Sequence, residues 1–326
     1  MNKHIKMVTI LTAAGLLLNS TPALTGHTHA AQTHSSAAAV SSLKKIDAKL
    51  LTEAQNSLKE VTGKSYSFSK AEKWSTGNDT GWTLTIKGVK NGYVNIVNNK
   101  VDTIQLEQKW ADLQNTYKQT LKSVLKELNV ETLPDSVSLY KYAGSGKLEM
   151  FASVNNHYIT LLDGEIKRVM STMPLESVSQ DMLDAANAAV ESFNGISLGK
   201  LTKAAYVKGQ DSNHVELQFE GDSPKTPVFI NIEEGAHRIT KIEVTSLQDS
   251  VTEFTKGYNK LISYSENKLL QAAIPVAKGV LNLDLSDYKI SKDKDRPGVV
   301  QFTKKNAPSV NGMYNSKGQF YLFETE

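Results

Sequence analysis

Four times along this 326-residue chain, a helix-like pattern of apolar residues gives way to period-two alternation and then to a tight-turn signal. Recurrence at a fixed period limits the available folds more strongly than any single motif. Leu50, Ala54, Leu58 and Val61 mark the first helix; Leu121, Val124, Leu125 and Leu128 mark the second. Met182, Ala185, Ala186, Ala189 and Phe193 mark the third, and Phe254, Tyr258, Leu261, Ile262 and Leu269 the fourth. Steps of three and four residues place each set on one face of an amphipathic helix. Ser177 with Gln180 and Ser250 with Glu253 have capping-box spacing, and Pro275 and Gly279 are expected to limit the last helix.

Alternation follows each helix: Trp82, Leu84 and Ile86; Leu148, Met150, Ala152 and Val154; Val215, Leu217 and Phe219; and Val300 with Phe302. Such alternation predicts strands with one buried face. Hairpins are expected at Asn98-Asn99, Asp163-Gly164, Glu234-Gly235 and Ser316-Lys317-Gly318, residue types that tolerate positive φ. One helix across a small antiparallel sheet buries both apolar faces. The expected fold class is therefore α+β, as four tandem helix-plus-antiparallel-sheet modules of αβββ(β) type. Their boundaries fall at residues 43–109, 110–176, 177–249 and 250–326.

The N-terminus predicts an address. Lys3 and Lys6 precede an apolar run, Met7–Leu18, and a small, polar exit. This is the layout of a secretory signal peptide over residues 1–30, cut between Ala30 and Ala31, with Ala23 as the second choice. A run of twelve residues, Thr9, Thr12 and Gly15 among them, is too short to span a bilayer, which takes about twenty. Residues 31–42 are small and polar and predict a disordered leader. The expectation is a secreted chain, extracellular or associated with the cell envelope, without a stable membrane anchor.

Charge and composition then exclude functions. Cleavage removes two lysines and no acid, leaving 35 basic against 34 acidic residues, which argues against nucleic acid as a partner. The chain has no cysteine, hence no disulfide and no thiol catalysis. Gly144-Ser145-Gly146-Lys147 is followed by Leu148 where a phosphate loop needs Ser or Thr, and Gly63-Lys64-Ser65 lacks the upstream glycine. His27, His29 and His34 have metal-like spacing but precede the folded region, and His157, His214 and His237 are scattered. Asp293 and Asp295 alternate ahead of Gly298, yet Pro297 and Lys304 occupy positions where a calcium loop wants oxygen ligands. No nucleophile-elbow sequence occurs. No catalytic residue, cofactor or metal is expected, and the chain is expected not to be an enzyme. Trp82 is in phase with the buried face; Trp74, beside Ser75 and Gly77, is the expected ligand contact.

Thr160–Val169 (TLLDGEIKRV), Asn231–Ile242 (NIEEGAHRITKI) and Asn95–Ile104 (NIVNNKVDTI) share an apolar hairpin with a polar turn. Following a helix, this resembles the PepSY-like, cystatin-related modules of exported bacterial proteins. The fourth unit departs most, with Pro308 and Asn311 in its penultimate strand. The resemblance implies binding, or peptidase-inhibitor-like inhibition, of an extracellular protein or peptide, a peptidase among the candidates. The alternative is a structural envelope or matrix protein that self-associates.

Overall fold

The computed structural model describes residues 43–326 except 77–78, 143–144, 194, 210–212, 222–225 and 295. The expected signal peptide, its cut between Ala30 and Ala31, the leader and His27, His29 and His34 lie outside the described residues. The described residues form two compact units, one of residues 43–171 with Lys208 and Gly209, the other of residues 172–207 and 213–326.

The first unit has two helices, α1 (Ala48–Thr62) and α2 (Asn115–Glu127). Asp47 caps α1, its carboxylate accepting from the Lys49 amide at 2.7 Å, so one orphan donor of the first turn is satisfied. The helix ends where Gly63 takes φ 73° and donates its amide to Lys59 O, a left-handed stop that favours glycine. Gly63 is thus a helix stop and no part of a phosphate loop. The strands are β1 (Phe68–Thr76), β2 (Asp79–Ile86), β3 (Tyr93–Val97), β4 (Lys100–Lys109), β5 (Ser136–Tyr142), β6 (Leu148–Val154), β7 (His157–Leu162) and β8 (Glu165–Met173). Each pairs antiparallel with the next. The expected turns carry positive φ at Asn98, Asn99, Asp163 and Gly164.

The separate small sheets that periodicity predicts on either side of residue 109 do not form. β4 pairs with β5 from Thr103–Tyr142 to Lys109–Ser136, so the sheet crosses that boundary without a break. Leu50 and Leu58 of α1 and Leu121 and Leu125 of α2 enter one core with Leu84, Leu106, Leu139 and Leu161. The physical reason is the edge strand. A small sheet ending at β4 would expose a row of unpaired amides and carbonyls, and β5 satisfies them.

The second unit makes the same correction at residue 249. Its strands are β9 (Leu201–Gly209), β10 (Asn213–Phe219), β11 (Val228–Glu233), β12 (Ile239–Val244), β13 (Lys289–Lys292), β14 (Val299–Thr303), β15 (Val310–Tyr314) and β16 (Phe320–Thr325). Their spatial order is β9-β10-β11-β12-β16-β15-β14-β13. The last strand in sequence therefore pairs with β12, placing Lys241 opposite Glu324, Ile242 opposite Phe323 and Glu243 opposite Leu322. Across both units the described residues hold sixteen antiparallel strands and five α-helices. Sheet predominates, and the reading of four tandem αβββ(β) modules is overturned.

Three helices cover one face of this second sheet: α3 (Gln180–Val190), α4 (Val251–Ser263) and α5 (Glu266–Leu281). The fourth predicted helix is two. Tyr264 is extended at φ −60°, ψ 131°, and Ser265 starts α5 by accepting from the Lys268 amide. Pro275 lies inside α5 instead of ending it. Gly279 also lies inside, where a Cβ would stand 1.9 Å from Ser192 Oγ, so it permits close packing. The Ser250–Glu253 capping box is present. Ser177 instead belongs to a short 3-10 turn, and Ser179 caps α3, accepting from Met182 N at 3.4 Å.

Leu121 is fully buried in the core that α1 and α2 share. Leu121→Asp would bury an unpaired charge there at a cost of several kcal/mol. Limited proteolysis of this variant is expected to open residues 43–171 together, α1 included. Cleavage confined to 110–176 would contradict the shared core.

Candidate functional site

The sheet of the second unit has two faces with different chemistry. Val215, Leu217, Ile230, Ile242, Val244, Phe302 and Phe323 enter the core beneath the helices. Alternation sends their neighbours to the opposite face. Successive register pairs there link Asn231 to Lys241, Glu324, Asn311 and Gln301 across four strand boundaries. A second row links Gln218 to Phe229, Glu243, Leu322, Met313 and Val299. One row is polar, the other largely apolar.

Register shifts at Asn231/Ile232 and Met313/Tyr314 interrupt both flanking hairpins. Such bulges bend and twist a strand pair. This face holds a trough of about 550 Å³, lined from β12, β13, β14, β15 and β16 and closed on one side by Asp293 and Arg296 of the β13–β14 connection. No helical residue is among its lining residues.

Two charged side chains are sunk into its floor. Lys241 is 7% exposed and Glu243 1%. Lys241 Nζ stands 3.7 Å from Glu324 Oε1, an ion-pair distance but longer than a good hydrogen bond. Glu243 Oε2 is buried and has no hydrogen-bond partner among the described residues. Gln218 Oε1, in the same row, is in the same condition. Burial pushes the Glu243 carboxyl above its ordinary range; the Lys241 ammonium opposes the rise and Glu324 adds to it. Burial also raises the Tyr321 phenol, with Glu243 and Asp249 contributing.

The remaining charges have internal partners. Asp293 accepts from Arg296 Nε at 2.7 Å and from its amide at 3.0 Å. Lys292 Nζ donates to the carbonyls of Ile262 and Tyr264. Glu326 accepts from Asn311 Nδ2 at 2.6 Å and from Gln301 Nε2 at 3.3 Å. The calcium-like spacing at Asp293 is thus occupied by an Asp293–Arg296 turn; Asp295 lies outside the described residues.

The sequence-predicted candidates fall elsewhere. Trp74 is half-buried in β1 of the first unit, its indole laid across Gly81, where a Cβ would meet the ring at 2.4 Å. Trp82 packs against the core of that unit, with Lys73 Nζ 6.0 Å from its ring centroid. His157 Nδ1 lies 2.7 Å from Ser171 Oγ, and burial lowers its pKa. His214 lies 3.3 Å from Glu216 and 3.2 Å from Asn231 Nδ2, and His237 stands 4.0 Å from Asp181. None of these lines the trough.

Sequence reasoning missed Lys241 and Glu243 because their alternation with Ile242 and Val244 describes an ordinary wet strand face. The available signal is in β16. Phe320, Tyr321, Leu322 and Phe323 are apolar without alternation and all buried, which marks a strand covered on both sides. Arranged this way, the trough offers an apolar strip beside an unsatisfied acceptor, chemistry suited to gripping a ligand by one polar group. Among the described residues no helix is long and apolar enough to cross a membrane. Comparison with models of protein families and with curated proteins finds no match.

The raised Glu243 carboxyl has a consequence for stability. The unfolded chain loses this proton in the ordinary carboxylate range, while the folded chain keeps it to higher pH. The stability so contributed is complete below that range and is lost as pH rises through the raised value. Glu243→Gln, which does not ionise, is expected to lose less stability than the wild type from about pH 4 to about pH 8 in urea melts. Parallel profiles would contradict the burial of an ionisable Glu243.

Proposed function

We propose that the chain is a secreted, non-catalytic binding protein, similar in its hairpins to PepSY-like exported proteins. The trough of the second unit receives a segment of an extracellular protein or peptide. The observation that carries this reading is the unsatisfied Glu243 carboxyl at the base of a trough of about 550 Å³. A buried acceptor without a donor is costly, and a ligand that supplies the donor recovers that cost on binding. The apolar strip of Leu322, Met313 and Val299 offers area for the rest of the segment. Export is supported by the Lys3, Lys6 and Met7–Leu18 layout.

A photocrosslinking residue tests this at Gln301 in the trough and, as a control, at Lys44, with chain 31–326 incubated in culture medium. Adducts with another protein or peptide are expected from Gln301 and not from Lys44. Light scattering on the same sample separates the structural alternative. Adducts between copies of the chain, with mass that grows with concentration, would replace binding by self-assembly. Turnover in a broad hydrolase screen, lost in Glu243→Gln, would replace it by catalysis.

A further inference from the structure

The trough holds three formal cations, Lys241, Lys292 and Arg296, against four carboxylates, Glu243, Asp293, Glu324 and Glu326. Arg296 and Asp293 satisfy one another, Lys292 is spent on two backbone carbonyls, and Glu326 is held by two carboxamides. That leaves Lys241 between Glu324 and Glu243, one cation for two carboxylates. Glu243 Oε2 is the atom left without a donor. Its residue is 99% buried. An anion would meet two carboxylates here. A divalent metal would face the Lys241 ammonium with only two carboxylates to hold it. A single monovalent cation with N–H donors matches both the surplus charge and the missing donor.

We infer that the trough selects a basic side chain, lysine or arginine, from its peptide partner, with Glu243 as the buried acceptor and Glu324 as the carboxylate at the mouth. This rests on the binding reading above and names its specificity. Glu324, 43% exposed at its side chain, is placed to meet the cation before Glu243 does. The apolar strip takes the aliphatic stem of such a side chain, as long cationic side chains commonly pack.

The selection has a pH dependence whose sign follows from the groups that face Glu243. These are Lys241 on its own strand, and Glu324 and Tyr321 on β16. Facing it from β10 and β11 are the uncharged Gln218 and Phe229. Burial favours the protonated carboxyl, whereas an arriving cation favours the ionised one. Binding therefore releases a proton near the raised value, and affinity falls as pH falls through it.

Three acetylated and amidated pentapeptides test this, Ala-Ala-Xaa-Ala-Ala with lysine, arginine or norleucine at the centre. They are titrated into chain 31–326 while the side-chain carboxyl carbons of Glu243 and Glu324 are followed by NMR. The lysine or arginine peptide is expected to bind about tenfold more tightly than the norleucine peptide at pH 8. It should move the Glu243 signal, and Glu243→Gln should abolish the preference. If Glu243→Gln does not fold, Glu324→Gln on the exposed rim is expected to reduce the same preference. Equal binding of all three peptides would overturn the inference while leaving the trough a binding site. A lysine preference unchanged in both variants would also overturn it. No movement of either carboxyl with any peptide overturns it too, and crosslinking from Gln301 then decides the binding reading by itself.

Discussion

The pairing of β12 with β16 is the interaction on which the second unit depends. It brings residues 241–243 against 322–324, joining two chain segments separated by both α4 and α5. Ile242 and Phe323 then lie side by side under the helices, both fully buried. On the other face the same three-residue ladder sets Glu243 beside Leu322 and Lys241 beside Glu324. Core and trough are thus two faces of one pairing. A slip of one residue would turn one of the two strands over, placing either Glu243 in the core or Phe323 in the open.

This arrangement explains why a charged residue survives in a buried place. Burying an ion without a full set of partners destabilises a fold, and similar positions filled by apolar residues are often as stable or more so. Glu243 has Lys241 nearby and yet leaves one oxygen without a donor. Its neighbours Leu322 and Tyr321 are buried as well. A polar group left unsatisfied beside the trough is the kind of local conflict that binding sites retain.

Much of the local structure was legible in the sequence. Asn98-Asn99 and Asp163-Gly164 adopt the positive φ that their residue types permit, and Ser250 with Glu253 forms the expected capping box. Helical spacing identified Leu58, Leu121 and Ala189 as buried residues, and all three are. Pairing between distant strands was not legible. Alternation tells which face of a strand is buried, and it is silent about which strand lies alongside. Val137 and Leu139 of β5 would serve equally against β4 or against a neighbour in a separate sheet. The site was hidden for a related reason. Lys241 and Glu243 look solvated until β16, β15, β14 and the β13–β14 connection assemble beside them.

Amide hydrogen exchange, resolved residue by residue, tests the β12–β16 pairing most directly. The amides that join these strands should be as protected as those joining β11 to β12, because both lie inside the sheet. They should also exchange more slowly than the outer amides of β13, the last strand in the order. Protection that stops at β12, with β16 exchanging as freely as an edge strand, would contradict the pairing. Core and trough would then have to be built separately.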